Sequence, residues 1–314
     1  MMPSVRLDRH PPLQPGWIDA PHRRCALGDL VLESGERILD FEASYVVHGP
    51  DDPTLPVALG LCAIGSSHHR LDFLIGPGAA LDPTRMRIVI VDAIGNGLTT
   101  SPSNSRRQPR SAFPRFTIRD MVRSQRMLLD VLGIERCAVV IGASMGGMQA
   151  LQWGAMHPSD MDRIVALTPL ARTPPWSVAF NHAARQSLEG HDARAAAGDA
   201  TAWSGWVTLM QLLAMRTPEQ VDAELETGDR VPGWLAQRTA WWAAQRVDPL
   251  DWIYQSWAYD AHDVGTTPGF GGDTAAALAA SAALAARWPQ CESSVTCSQP
   301  GIRATAQAAP AAGL

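Results

Sequence analysis

The chain has 314 residues and a formal net charge of −5, with 46% apolar and 18% charged residues. That composition excludes a wholly disordered protein and leaves room for a sizeable core. The acidic balance argues against nucleic acid as a partner, because phosphate binding needs a basic surface. All 26 basic residues are arginine, which excludes Schiff-base, Walker A and kinase lysine chemistry. No run approaches the roughly 18 consecutive apolar residues of a membrane helix. Met1 to Pro15 is polar and proline-rich, without the apolar stretch of a signal peptide. No membrane partner is expected, and the cytoplasm is the expected compartment.

In chain order, residues 1–26 read as an N-terminal segment and 27–175 as a core of alternating strands and helices, the signature of parallel βαβ units. LPVALGLC (Leu55 to Cys62) and RIVIV (Arg87 to Val91) are continuous apolar strands, as expected when both sheet faces are covered. Thr117 with Asp120 opens a helix whose apolar residues share one face and which Gly133 ends. CAVVI (Cys137 to Ile141) is a third strand. A helix then runs to His157, stopped by Pro158, and IVAL (Ile164 to Leu167) is a fourth strand. Residues 176–262 read as a helical lid holding eight of the eleven tryptophans. From 263 to 314 the composition is atypical. Nine of the twelve residues from Ala275 to Ala286 are alanine, and a low-complexity tail is expected.

The five cysteines form no framework. Cys62 and Cys137 sit in apolar runs and read as buried free thiols, while Cys25 stands far from both. Cys291 and Cys297 lack metal-ligand spacing. His68 and His69 are adjacent, so their side chains should diverge, and no acidic or cysteine ligand clusters nearby. No metal is expected.

The chemistry concentrates in VVIGASMGGMQALQW (Val139 to Trp153). Gly142-Ala143-Ser144-Met145-Gly146 is a G-x-S-x-G pattern between a predicted strand and a predicted helix, the setting of a nucleophile elbow. A serine on such a turn is held in strained φ/ψ with its hydroxyl raised above the sheet. Its neighbours must be small to avoid the adjacent strand and helix. The helix N-terminus offers backbone N–H groups to a developing oxyanion. Ser144 is therefore the candidate nucleophile. Met145 N–H and Ile64 N–H, the latter in the loop after the LPVALGLC strand, are the candidate oxyanion-hole donors. The loop DAIGNG (Asp92 to Gly97) lacks the third glycine of a dinucleotide fingerprint and reads as a rigid edge of the site.

The elbow GASMGGMQALQW, the loop VDAIGNGLTTSPSNS and the segment FPRFTIRDMVRSQRMLL resemble the homoserine O-acetyltransferase-like branch of the α/β-hydrolase superfamily, from about Leu27 to Asp273. The resemblance implies an α/β-hydrolase fold, a mostly parallel sheet with flanking helices and a helical lid. It also implies acyl transfer through an acyl-serine, with no cofactor. The partners would be a small-molecule acyl donor (acyl-CoA or ester) and an acceptor, and a homodimer is compatible with it.

Two departures qualify what carries over. Where homoserine transferases read His-Ala-Leu-Thr-Gly, this chain has Cys62-Ala63-Ile64-Gly65. Where their lid presents an arginine for the substrate carboxylate, the register gives Met210, with Arg216 close by. The triad acid and histidine of this superfamily follow the serine on late strands. Downstream of Ser144 stand His157 on the elbow helix, His182 and His191 in the lid, and His262 before a Gly-rich segment. The Ala/Ser/Pro tail occupies the place of the late strands, as a reading-frame change in a GC-rich gene would produce. The C-terminal strands of the fold are therefore expected to be missing, and the chain as written is expected to be a poor catalyst. The alternatives are a non-catalytic relative, or His262 acting as a substitute base.

Overall fold

A computed structural model describes residue 10 and residues 12–190, 199–245 and 247–285. Six strands form one sheet: β1 (Arg23–Val31), β2 (Arg37–His48), β3 (Val57–Leu61), β4 (Arg87–Val91), β5 (Val139–Ala143) and β6 (Ile164–Leu167). Their spatial order is β1-β2-β4-β3-β5-β6. β1 and β2 form an antiparallel hairpin joined antiparallel to β4, and β4, β3, β5 and β6 run parallel. The parallel strands need crossovers. Two of these are the helices α1 (Ile118–Val131) and α2 (Met145–Met156).

β3, β4 and β5 are buried over four of their five residues each, which explains their unbroken apolar sequences. Their bounds match the expected runs to within two residues. The Arg87–Val91 and Ile164–Leu167 strands match fully. Among the described residues β6 pairs on one side only.

The β1–β2 hairpin was not expected. The boundary drawn at residue 26 falls inside β1, an edge strand (RRCALGDLV) of which only Cys25 and Leu30 are buried. Such a strand carries no continuous apolar run to announce it.

The tryptophan-rich region is helical, with α3 (Pro175–Gln186), α4 (Ser204–Met210), α5 (Pro218–Leu225), α6 (Val231–Ala244) and α7 (Pro249–Asp260). Trp203, Trp206, Val207, Met210 and Trp252 form a satellite core of their own. α7 differs from the others, since its Tyr254 and Ala258 join the main core beneath.

The expected low-complexity tail is corrected at its start. Residues Thr274–Ala285 form a helix, α8, which packs on α2. Alanine has the highest helix propensity, and its small side chains let α8 approach Gly154, where an added Cβ would lie 2.8 Å from Ser281 Oγ. The rest of the tail, 286–314, lies outside the described residues.

α1 starts as its sequence requires. Asp120 N–H donates to Thr117 Oγ1 at 3.2 Å, and Thr117 N–H donates to Asp120 Oδ2 at 2.9 Å. Asp120 Oδ1 also accepts from Glu33 N–H at 2.8 Å, so the cap fixes the β1–β2 turn. Burial nevertheless raises the Asp120 pKa, despite these hydrogen bonds. We expect Thr117→Ala to cost about 1 kcal/mol in urea denaturation, as loss of a helix cap does. Gly228→Ala, which meets open space, should stay within about 0.5 kcal/mol of wild type.

Candidate active site

Ser144 sits between β5 and α2 with φ +55° and ψ −121°, a left-handed conformation that a non-glycine residue adopts only under local strain. Its neighbours explain why the strain persists. A Cβ on Gly142 would lie 2.2 Å from Gly146 O, and one on Gly146 would lie 2.3 Å from Leu61 O. Any side chain at either position would push α2 away from the sheet. The turn is thus clamped between the end of β3 and the first turn of α2.

The elbow helix is held by a buried amide network. Gln149 Nε2 donates to Cys62 O (3.0 Å) and Met145 O (3.2 Å), and Gln149 Oε1 accepts from Gln125 Nε2 (2.6 Å). Trp153 Nε1 donates to Gln125 Oε1 at 2.7 Å. Gln152 Nε2 donates to Thr267 Oγ1 at 2.7 Å. The Gln-x-x-Gln-Trp part of the motif therefore ties α2 to α1, to the loop after β3 and to the 264–267 turn.

Ser144 and Ile64 line one cavity of about 980 Å³. Met145 begins α2, so its N–H has no acceptor within the helix. The Ile64 loop is fixed from above: Gly65 N–H donates to Gln255 Oε1 (2.8 Å), and Gln255 Nε2 donates to Ile94 O (3.0 Å). Gln255 lies on α7 and escaped notice in the sequence, where an isolated glutamine in a helix carries no signal. Trp206, Trp241, Trp242 and Trp252 line the same cavity as Ser144. Trp206 and Trp242 pack with ring centroids 4.4 Å apart, and Trp203 packs against both. Met210, Arg216 and Arg238 also line it. Both arginines are held by Glu224, which keeps that carboxyl below its usual pKa, chiefly through its hydrogen bond from Trp234 Nε1.

The structure does not bring His262 to this group. His262 is buried, does not line the cavity, and donates its Nε2–H to Leu170 O at 3.1 Å. Burial lowers its pKa to about 4. His157 caps the far end of α2, His182 is exposed on α3, and His191 lies outside the described residues. Among the described residues Ser144 Oγ has no hydrogen-bond partner.

The expectation for His68 and His69 is corrected in its premise. Both rings meet carboxylates, one 24 positions away and one only three: His68 Nδ1 is 3.1 Å from Asp92 Oδ2, and His69 Nδ1 is 2.6 Å from Asp72 Oδ2. Two further imidazoles join them, from His10 and His22. Burial raises the Asp92 pKa, but His68, Ser44 and His22 outweigh it and hold the carboxyl below its ordinary value. Burial, followed by the charge of His68, lowers the His22 pKa to about 4. Cys25, Cys62 and Cys137 are free and buried, and burial raises the pKa of each.

A family model described as alpha/beta hydrolase fold matches residues 60–198. The structure superposes on an acetylester hydrolase from Corynebacterium glutamicum with TM-score 0.73 and 27% identity, covering 83% of this chain and 77% of that one. The chain has an α/β-hydrolase fold. The acetyl esterase MekB gives TM-score 0.71 at 27% identity, over 83% of this chain and 78% of that one. In sequence the chain is similar to proteins named homoserine O-acetyltransferase. The one from Moorella thermoacetica is 43% identical over 122 residues, 37% of this chain and 33% of that protein. The one from Thermus thermophilus is 33% identical over 204 residues, 62% of this chain and 52% of that protein. The chain thus spans between a third and about half of the length of these curated relatives. Among the described residues no helix is long and apolar enough to cross a membrane.

The buried His262 has a consequence for stability. Its pKa is about 4 in the fold and about 6.5 in the unfolded chain. Between those values the unfolded chain binds a proton that the folded chain refuses. Stability is therefore full above pH 6.5 and falls as pH drops toward 4, by on the order of 2–3 kcal/mol. Denaturation measured across that window should show this slope, and His262→Gln should make it shallower, the remainder coming from His22, whose pKa is lowered to about 4 as well.

Proposed function

We propose that Ser144 is the nucleophile of an acyl-transfer or ester-hydrolysing reaction that passes through an acyl-serine. The observation that carries this reading is the positive φ of Ser144 on a turn that only glycine neighbours permit, opening on a cavity roofed by tryptophans. Strain of this kind persists where the surroundings enforce it, and it gathers at functional sites.

Ser144 Oγ attacks the carbonyl carbon of an ester or thioester. The carbonyl oxygen becomes an oxyanion that accepts hydrogen bonds from Met145 N–H and Ile64 N–H. Collapse expels the alcohol or thiol and leaves the acyl group on Ser144. Water or a small acceptor then attacks the acyl-serine and frees the hydroxyl. The substrate class is an acyl-CoA or ester donor with a small acceptor.

Two observations favour an ester with an apolar acyl group over an amino-acid acceptor. The cavity wall is rich in indole rings, and Trp206 Nε1 and Trp242 Nε1 are buried without a partner among the described residues, so each can donate to an ester oxygen. Arg216 and Arg238 share the single carboxylate of Glu224, with which any carboxylate-bearing acceptor would compete for them. The esterases that share this fold are consistent with the same choice.

The unpartnered Ser144 Oγ favours a second reading, a slow catalyst. A serine with no general base is a weak nucleophile, and triad-less serine hydrolases keep only about 10³–10⁴-fold catalysis over water. A fluorophosphonate probe tests the nucleophile, with slow labelling expected under the second reading. The chain should label, and Ser144→Ala should not; equal labelling of the two would overturn the assignment. A p-nitrophenyl ester series then grades the rate, and rates only about 10³–10⁴-fold above uncatalysed hydrolysis would uphold the slow-catalyst reading.

A further inference from the structure

Four imidazoles meet beside the cavity, beneath the N-terminal segment. His22 Nε2 is 3.0 Å from His68 Nε2, and His10 Nε2 is 3.1 Å from His69 Nε2. His10 stands 4.3 Å from His22 and 5.3 Å from His68 between ring centroids. One ligand atom each from His10, His22 and His68 lies within 4.8 Å of the others.

The carboxylates decide which nitrogens are available. Asp92 and Asp72 can only accept hydrogen bonds, so His68 and His69 must carry their protons on Nδ1. The lone pair of each ring therefore sits on Nε2, facing the other imidazoles. A carboxylate bonded to the outer nitrogen of a ligating histidine is the usual support of a metal-bound imidazole, fixing its tautomer and orientation. Asp92 is itself held by Ser44 Oγ at 2.9 Å and Asn96 Nδ2 at 3.0 Å. Zinc–nitrogen bonds of 2.0–2.1 Å place tetrahedral donors about 3.3–3.4 Å apart. The His22–His68 pair is already close to that spacing.

We propose that His10, His22 and His68 form a binding site for a divalent metal ion of the zinc class, with Asp92 as the carboxylate that orients His68. All-imidazole ligation suits zinc, and three histidines leave a fourth position for water or for His69. The ion would pin the N-terminal segment to the loop after β3. That segment already docks there: Trp17 stacks on His69 at 4.2 Å, Ile18 N–H donates to Asp72 Oδ2 at 2.8 Å, and Gln14 Nε2 donates to Gln245 Oε1 at 3.2 Å. Gln14 and Trp17 belong to the wall of the Ser144 cavity, so occupancy of the site would fix one side of that cavity. The hydrolytic reading of Ser144 is not required.

The full chain, stripped with a chelator and titrated with zinc chloride by calorimetry, should bind one zinc per chain. Substituting cobalt(II) should give the intense visible absorption of tetrahedral coordination. His10→Gln and His22→Gln, at partly exposed positions, should each weaken binding at least tenfold. Asp92→Asn should weaken it about 10–100-fold, the usual effect of losing such a support. His182→Gln and Ser144→Ala should bind as wild type does, the latter separating this site from the reading of Ser144. No saturable zinc binding by the wild-type chain, or binding untouched by both His10→Gln and His22→Gln, would overturn the proposal.

Discussion

Leu61 O lies 2.3 Å from where a Cβ at residue 146 would stand, and that close approach governs the rest of the site. β3 ends against the first turn of α2, and β5 ends against the same turn through Gly142. The chain between them has no room to relax, so Ser144 keeps a backbone conformation it would otherwise leave. Strain at one residue is small beside the burial that enforces it, since Met145, Met148, Ala150 and Trp153 are all fully buried on α2. Packing of the helix thus decides the direction of a single hydroxyl.

The same economy of position recurs in the loops around the cavity. Gln149 and Gln255 reach the two ends of the β3 loop, one from below and one from above. Neither acts on a substrate, yet together they fix where the Ile64 N–H stands. The buried cost of an amide side chain is offset when every polar atom finds a partner. Gln149 meets that condition through Cys62, Met145 and Gln125.

The parallel strands and the elbow were legible in the sequence because each has a local cause. The apolar runs of β3, β4 and β5 follow from burial of both sheet faces, and Gly142 is demanded by a backbone contact four residues on, at Gly146 O. The β1 strand of the hairpin was not legible, because an exposed edge strand needs no apolar run. The alanine-rich helix α8 read as low complexity, although alanine is the residue that best suits a helix lying close against Gly154. The histidine cluster was invisible for a different reason. Its members are separated by up to 59 positions, and its carboxylates Asp72 and Asp92 come from two different loops. Adjacent histidines that diverge in an extended chain are here wound into a helical turn, His68–Leu74, and roofed by His10 and His22.

The tryptophan-rich helices lie over Ser144 and pack their own core around Trp206 and Trp252, with Trp242 against it. The central claim is that the strained turn and this roof make Ser144 an acyl acceptor. Intact mass spectrometry after incubation with p-nitrophenyl acetate tests it most directly. The account predicts one added acetyl group per chain, mapped to the peptide containing Ser144 and absent from Ser144→Ala. Acetylation at another residue, or p-nitrophenol release that Ser144→Ala leaves unchanged, would contradict it.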